Sequence, residues 1–175
     1  MRLIGFIISL FLLSFPLSMN LQAKQNKSIY GLYEQVHIKE LGNVAIKAKL
    51  DTGALTSSFS ATNVAIFKKN GQPWVRFQPQ VEGLNLPTIE KPLIRYSKIK
   101  TRNDDIRDDE DKSHTQRPVV KLNVCFDGQV HEIEVNLTDR SRFNYPLLIA
   151  RTALVQFKAI VDPSLRYKAK SDCSL

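Results

Sequence analysis

The stretch Ala48-Lys-Leu-Asp-Thr-Gly-Ala-Leu-Thr-Ser-Ser58 joins an alternating segment to a short polar turn. The segment that leads into it, Val44 to Leu50, alternates branched apolar residues with lysines, which is the pattern of a half-buried strand. A strand that ends in Asp51 places one carboxylate at the edge of an enclosed region. Gly53 permits a close approach of backbone or substrate, and the Thr52 hydroxyl can fix the turn through a hydrogen bond. Asp51 is therefore the first candidate for a catalytic residue.

The rest of the chain alternates short strand patterns with turn signals. Asn70-Gly71 and Asp127-Gly128 are dipeptides preferred in two-residue β-hairpin turns. The best helix candidate, Arg151 to Phe157, is only two turns long, and Ala159 to Asp162 is the last predicted strand. Many short strands and one short helix predict an all-β fold, a small closed β-barrel.

One internal stretch, Arg102 to Arg117, is rich in charged residues of both signs. It has too few apolar groups to hold it against a core, so the sequence predicts a mobile loop there.

The first 23 residues have the pattern of a secretory signal peptide. Arg2 supplies the positive start, an apolar run follows from Leu3 to Phe15, and Ala23 offers a small residue for cleavage. An uncleaved membrane anchor is the alternative, although the apolar run is shorter than the ~20 residues of a membrane span. The expected product is a periplasmic protein with one domain over residues 24–162 and a polar C-terminal tail over residues 163–175.

The expected mature chain is basic. Removal of the leader, whose only charged residue is Arg2, lowers the net charge by one, from +8 to +7. A basic surface can attract acidic peptides, anionic lipid or cell-wall polymers, and a solvated surface without a specific partner is an equal alternative. We expect no nucleic-acid partner, because no motif combines basic and aromatic residues for recognition.

The sequence offers no metal or cofactor site. The three histidines are scattered without metal-ligand spacing, and no Walker-type glycine loop is present. The two cysteines, Cys125 and Cys173, are too few for a zinc ribbon. Export would permit a disulfide between them, but the apolar strand around Cys125 slightly favours two free thiols.

Two apolar motifs about a hundred residues apart carry a resemblance to a known family. Leu50-Asp-Thr-Gly-Ala54 and Leu147-Leu-Ile-Ala-Arg-Thr-Ala-Leu154 resemble the paired motifs of the retropepsin-like aspartic proteases. Within that superfamily, the chain looks most like a bacterial group often labelled ATP-dependent zinc proteases. The resemblance extends over most of the expected mature chain, roughly from Ile29 to Asp162. The matching motifs are Lys49-Leu-Asp-Thr-Gly-Ala54, Thr56-Ser-Ser58, Arg117-Pro-Val-Val120, Leu137-Thr-Asp-Arg-Ser141 and Tyr145-Pro-Leu-Leu-Ile149.

The resemblance implies a mechanism and a set of site residues. Asp51 would be the catalytic acid, and because the chain has one Asp-Thr-Gly, a homodimer would supply the second. The resemblance further implies active-site support from Thr52, Gly53, Ala54, Ile149, Ala150 and Arg151, and a flap over a peptide or protein substrate that contains Lys98, Ile99, Lys100 and Thr101, within a flap and charged loop at about residues 97–117.

The chain departs from the family pattern at two places. Ala150 replaces a glycine, and its methyl group either crowds the Asp51 loop or is accommodated. The segment before Arg117 looks longer than usual, which suggests a longer or differently hinged flap. Arg151 is expected to cap the short helix or to pair with Asp139.

Three functions remain open at this point. The first is a periplasmic aspartic endopeptidase. The second is a non-catalytic module that binds a peptide or a membrane-associated partner. The third is a zinc-dependent peptidase, for which the residues offer no ligand set.

Overall fold

The computed structural model describes residues 26–42, 44–99, 115–170 and 172. These residues form ten β-strands, one α-helix and one 3₁₀ turn, Lys39–Leu41. In chain order the strands and the helix are β1 Ser28–Ile38, β2 Val44–Asp51, β3 Ser57–Lys69, β4 Gln72–Pro79, β5 Ile89–Pro92, β6 Arg95–Ile99, β7 Thr115–Phe126, β8 Gln129–Thr138, β9 Leu147–Ala150, α1 Arg151–Gln156 and β10 Ala159–Arg166.

Six of the strands close into a barrel. They pair in the order β1, β2, β9, β3, β8 and β7, and β7 pairs back to β1 through Ile38 and Val124. Strand β10 runs parallel to β1 as an outer strand, and β6 extends the sheet beyond β7. The predicted small closed barrel with one short helix is confirmed.

Both predicted hairpin turns have the backbone that their sequences favour. Asn70 and Gly71 have φ of 51° and 77°, and Asp127 and Gly128 have φ of 51° and 75°. Two successive residues with positive φ define the type of turn whose twist matches the flanking strands. The first turn joins β3 to β4, and the second joins β7 to β8.

A smaller sheet projects from the barrel. Strand β3 continues past the residues that pair with β8 and β9, and its second half pairs with β4, which in turn pairs with β5. The loop between β4 and β5 consequently lies beside the barrel.

Side chains that alternate along the strands fill the barrel. Fully buried examples come from four different strands, namely Val36, Ile46, Phe59 and Leu122. Each such side chain contributes about 1.5–3 kcal/mol through removal from water.

Two predicted boundaries differ from the structure. Strand β7 begins at Thr115, so the last three residues of the predicted charged loop belong to a strand. The rest of that loop, residues 102–114, lies outside the described residues. Strand β10 continues to Arg166, four residues into the predicted polar tail, because Tyr33 pairs with Arg166 across the sheet.

The slight preference for free thiols is wrong. Cys125 is completely buried at the end of β7 and is disulfide-bonded. The other cysteine of the chain, Cys173, lies outside the described residues, as does the predicted signal peptide. Among the residues that the structure describes, no helix is long and apolar enough to cross a membrane.

Candidate active site

Asp51 lies where the two halves of the chain meet. It is the last residue of β2, and β2 pairs in parallel with β9, so that Asp51 aligns with Ala150. Strand β9 also pairs antiparallel with β3, which begins just after the Asp51 turn. The two motifs recognised a hundred residues apart in the sequence are therefore adjacent strands.

The carboxylate of Asp51 is held on one side only. Its Oδ1 accepts hydrogen bonds from the backbone amides of Gly53, at 2.9 Å, and Ala54, at 3.1 Å. No donor among the described residues hydrogen-bonds to Oδ2, and the side chain is partly exposed to solvent. A carboxylate fixed in this way has one oxygen free to act on a water or a substrate.

Three hydrogen bonds join the Asp51 turn to the second motif. The amide of Arg151 donates to the Ala54 carbonyl at 3.0 Å, and the Thr152 hydroxyl donates to the Leu55 carbonyl at 2.8 Å. The Ala150 amide donates to Ser57 Oγ at 3.0 Å. The turn is therefore anchored at both of its ends to the strand and helix that cross behind it.

Ala150 is accommodated in place of the family's glycine. It is fully buried, as is the preceding Ile149, while Asp51 keeps both of its amide hydrogen bonds. The extra methyl group therefore packs into the barrel wall without displacing the acid.

The remaining predicted residues lie at different depths. Thr52, Gly53 and Arg151 are exposed, and Ala54 is half-buried. Of the predicted flap residues, Lys98 is exposed and Ile99 is half-buried at the end of β6, where they pair with the first residues of β7. Lys100 and Thr101 lie outside the described residues.

The predicted pair between Arg151 and Asp139 does not form. Asp139 instead accepts a hydrogen bond from the Ser141 amide at 2.8 Å, which lowers the pKa of its carboxyl group. The Arg151 side chain has no acidic partner among the described residues.

Two arginines were not assigned a role from the sequence, and one of them, Arg140, lies within electrostatic reach of Asp51. Arg140 follows β8 and is only 8% exposed. Burial lowers the pKa of its guanidinium, as does the nearby charge of Arg117, while the negative charge of Asp51 acts in the opposite direction. Arg117 lies on β7, and burial also lowers the pKa of its guanidinium. Both residues lie in sequence motifs that match the family, and that match is the signal that could have identified them.

The hydrogen bonds of the two guanidiniums are incomplete. Arg140 Nε donates to the Tyr145 carbonyl at 3.3 Å, and the guanidinium lies 4.6 Å from the centre of the Phe143 ring. Arg117 Nε is buried, and no acceptor among the described residues reaches it. Arg117 as a residue is half-buried, and a guanidinium with unused donors is suited to receive a carboxylate from a ligand.

An apolar surface adjoins the Asp51 turn. Leu55, directly after the turn, is 59% exposed, and Val155 of α1 is 77% exposed. Thr152 and Val155 are three residues apart and lie on one helix face, and Thr152 contacts the Leu55 carbonyl. Leu55 and the helix that carries Val155 therefore both expose apolar side chains close to the Asp51 turn.

No cluster of three histidine, cysteine or acidic side chains that could hold a metal ion occurs in residues 26–42, 44–99, 115–170 and 172.

Comparisons with known proteins agree with this geometry. A family model described as retropepsin-like aspartic endopeptidase RimB matches residues 29–172. Curated relatives are named probable alpha-L-glutamate ligase. One from Shewanella halifaxensis is 36% identical over 79% of this chain, and one from Desulfotalea psychrophila is 32% identical over 80%. The match spans only 29% of the length of each relative. These names carry neither the zinc nor the ATP of the group label.

A solved structure has the same fold. It is a protein of unknown function from Legionella pneumophila, 34% identical, and it superposes with a TM-score of 0.67 over 83% of this chain and 100% of its own. With the matched model covering nearly all of the described residues, the chain belongs to the RimB-like family of retropepsin-like aspartic endopeptidases.

Proposed function

We propose that this chain is an aspartic endopeptidase that hydrolyses peptide bonds as a homodimer. The observation that carries the proposal is the Asp51 carboxylate, which is fixed through Oδ1 by two amides and is open at Oδ2. The same geometry in a second copy would supply the second acid that the reaction needs.

The proposed mechanism uses two carboxylates that share one proton. Like charges within about 3 Å cannot both ionise, so one acid is protonated and the other is not. The ionised carboxylate takes a proton from water as the water oxygen attacks the peptide carbonyl, and the protonated one donates to the carbonyl oxygen. The amine then leaves with a proton from the dyad. No covalent intermediate with the enzyme forms, because water is the nucleophile.

Support for the homodimer comes from the surface beside the acid. No second carboxylate hydrogen-bonds to Asp51 among the described residues, so the site of a single chain lacks half of a dyad. Leu55 and the helix that carries Val155 expose apolar side chains close to the turn, and exposed apolar surfaces of this kind mark protein interfaces. In a two-fold dimer built there, Thr52 would hydrogen-bond across the axis.

An acidic substrate is favoured by the charge around the site. Arg140 is buried within electrostatic reach of Asp51 and of the half-buried Arg117, and the curated relatives are named for ligation of glutamate. We propose that the guanidiniums receive a carboxylate side chain close to the scissile bond. Arg117 pairs with Ser97 of β6, so it would face the substrate if β6 and the start of β7 form the flap.

Export to the periplasm is part of the proposal. It is supported by the sequence pattern of residues 1–23 and by the disulfide-bonded Cys125, since disulfides persist in oxidising compartments. The mass of the protein recovered from a periplasmic fraction tests it. Protein found only in the cytoplasm would contradict export, whereas exported protein whose mass includes residues 1–23 would indicate the uncleaved membrane anchor.

A subunit-mixing experiment tests the enzyme and the dimer together. Increasing amounts of Asp51→Asn are mixed with a fixed amount of wild-type chain, and cleavage of glutamate-rich peptides is followed by mass spectrometry. Because each site needs an acid from both copies, activity should fall as mixed dimers form. Activity that stays constant on mixing would show a site complete in one chain.

A matched variant separates catalysis from binding. Leu55→Asp should separate the copies in sedimentation and abolish cleavage while the fold persists. A wild-type dimer that captures the peptides without cutting them would instead support the non-catalytic binding module.

A further inference from the structure

One edge of strand β1 is shared between two partner strands. The first part of β1, as far as Tyr33, pairs in parallel with β10, and the last two residues, His37 and Ile38, pair with β7. Strand β2 occupies the opposite edge. Residues 34–36 therefore face no described strand on the shared edge, and only two residue pairs close the barrel beside this gap.

The segment after β10 runs along this gap. The Tyr167 amide donates to the Tyr33 carbonyl at 2.8 Å. The amides of Lys168 and Ala169 donate to the buried carboxylate of Glu34, at 3.0 Å and 2.9 Å. Ala169 is also half-buried and packs against the core. The segment consequently takes the place of a partner strand where β10 has ended and β7 has not yet begun.

The same segment then reaches the turn between β7 and β8. The Lys170 amide donates to Oδ1 of Asp127 at 2.8 Å, and Oδ2 of that carboxylate accepts a hydrogen bond from the Tyr30 hydroxyl of β1 at 2.9 Å. The Asp172 carbonyl oxygen lies 3.4 Å from the position that a Cβ on Gly128 would occupy. Residues 167–170 and 172, which we call the C-terminal strap, therefore connect β1 to the end of β7.

Cys125 lies at the same junction. It is completely buried, aligns with His37 where β7 meets β1, and is disulfide-bonded. A sulfur buried in this way cannot bond to another molecule, so its partner belongs to the same chain, and the sequence contains one other cysteine, Cys173. Cys173 lies outside the described residues, whereas the preceding Asp172 lies at the turn that follows Cys125.

We propose that a disulfide between Cys125 and Cys173 holds the C-terminal strap across the gap, and that the barrel reaches its full stability only after this bond has formed. The bond closes a loop of roughly 50 residues, and a cross-link of this span removes many conformations of the unfolded chain. In the reduced chain the strap is held by its hydrogen bonds and packing alone. The strap is thus loose in a reducing compartment and becomes fixed after export.

Formation of the bond is a thiol–disulfide exchange with a protein disulfide of the oxidising compartment. Because Cys125 is buried, the Cys173 thiolate attacks the external disulfide first and displaces one of its two sulfurs as a thiolate. The Cys125 thiolate then attacks the Cys173 sulfur of the mixed disulfide and releases the second external sulfur. The chain loses two electrons and two protons, and the external disulfide gains them and becomes a dithiol.

The test compares the wild-type chain with Cys173→Ser, each with and without dithiothreitol, in thermal unfolding and amide hydrogen exchange. Reduction of the wild-type chain should lower its Tm by roughly 5–10 °C. Exchange at the Lys168, Ala169 and Lys170 amides should become about tenfold faster, a larger change than at the Leu93 amide, which donates to Pro73 in the smaller sheet. Cys173→Ser without reductant should match the reduced wild-type chain, and dithiothreitol should not change it further.

Four results would overturn the proposal. They are a peptide map of the unreduced protein in which Cys125 is not joined to Cys173, an unchanged Tm on reduction, strap amides that exchange equally fast in both redox states, and an equal effect of dithiothreitol on Cys173→Ser. If Cys173→Ser does not fold, reduction of the folded wild-type chain decides the question. None of these measurements requires peptide cleavage, so their outcome is independent of the proposed peptidase activity.

Discussion

Glu34 and Asp51 are two carboxylates of neighbouring strands that bind backbone amides in different ways. Glu34 on β1 is completely buried, and its two oxygens accept from the amides of Gly31 at 2.6 Å, Lys168 at 3.0 Å and Ala169 at 2.9 Å. Asp51 is partly exposed and uses one oxygen for two amides of its own turn.

The difference separates a structural carboxylate from the one that we propose to be catalytic. Both oxygens of Glu34 are occupied by the protein, and two of its donors are more than 130 residues away in sequence. It therefore fixes the segment after β10 against β1. Asp51 receives only local hydrogen bonds, all of them at Oδ1, and no donor among the described residues reaches its Oδ2. The surrounding backbone fixes the position of the Asp51 side chain but uses only part of the hydrogen-bonding capacity of its carboxylate.

The largest effect is expected from Asp51→Asn. An amide cannot take a proton from water, so cleavage of glutamate-rich peptides should fall by about 10³-fold or more. The free energy of unfolding should change by less than about 1 kcal/mol, because the Asn carbonyl can still accept the two local amides. Peptide kinetics and urea unfolding measure the two quantities. A strongly destabilised variant would place Asp51 in the same structural class as Glu34.

The converse result is expected from Glu34→Gln. The substitution places the NH₂ group of Gln, a donor, against backbone N–H groups that are also donors. The free energy of unfolding should therefore fall by about 2–4 kcal/mol. The activity of the protein that remains folded should persist. Glu90→Gln is the control, because Glu90 bonds Arg76 and Lys69 at the surface, and it should unfold close to wild type. Equal stabilities of the two variants would contradict the role of Glu34.

The sequence predicted the parts of this comparison that depend on local pattern. The strand before Asp51, the Asn70-Gly71 turn and helix α1 follow from alternation, turn chemistry and helix length. The pairing of β2 with β9 came from the family resemblance, since no local signal joins residues a hundred positions apart.

The parts that failed depend on distant partners. Glu34 lies in a strand pattern where a charged residue is expected to face solvent, and only the folded chain brings the Lys168 and Ala169 amides to it. The residues after Asp162 consequently looked like a free tail. Arg117 and Arg140 were passed over for the same reason, because a charged residue usually remains at the surface.

An intermediate effect is expected from Arg117→Gln. Because Arg117 Nε is buried without an acceptor among the described residues, the guanidinium is available to a substrate carboxylate. The preference for glutamate over glutamine beside the scissile bond should fall by about tenfold, as one charge-assisted hydrogen bond is lost. Paired peptides that differ only in this residue measure it.

Arg76→Gln is the matched control for that measurement. Arg76 is exposed on β4 and pairs with Glu90 at 2.7 Å in the smaller sheet, so the glutamate preference should be retained. A loss of the same size in both variants would indicate a general effect of net charge, and Arg117 would then have no specific role.

The smallest effect is expected from a substitution of His131. It concerns the stability of the protein at acid pH and not its activity. Its ring is half-buried against Phe157, with 4.6 Å between the ring centres, and burial lowers its pKa below the ordinary 6.5. The unfolded chain therefore binds the proton more readily than the folded one. Stability is complete above about pH 6.5 and decreases as the pH falls through the folded pKa. His131→Gln should lose less stability than wild type between about pH 7.5 and about pH 5.5 in urea unfolding. Equal losses in the two proteins would show that the imidazole does not contribute to the acid sensitivity.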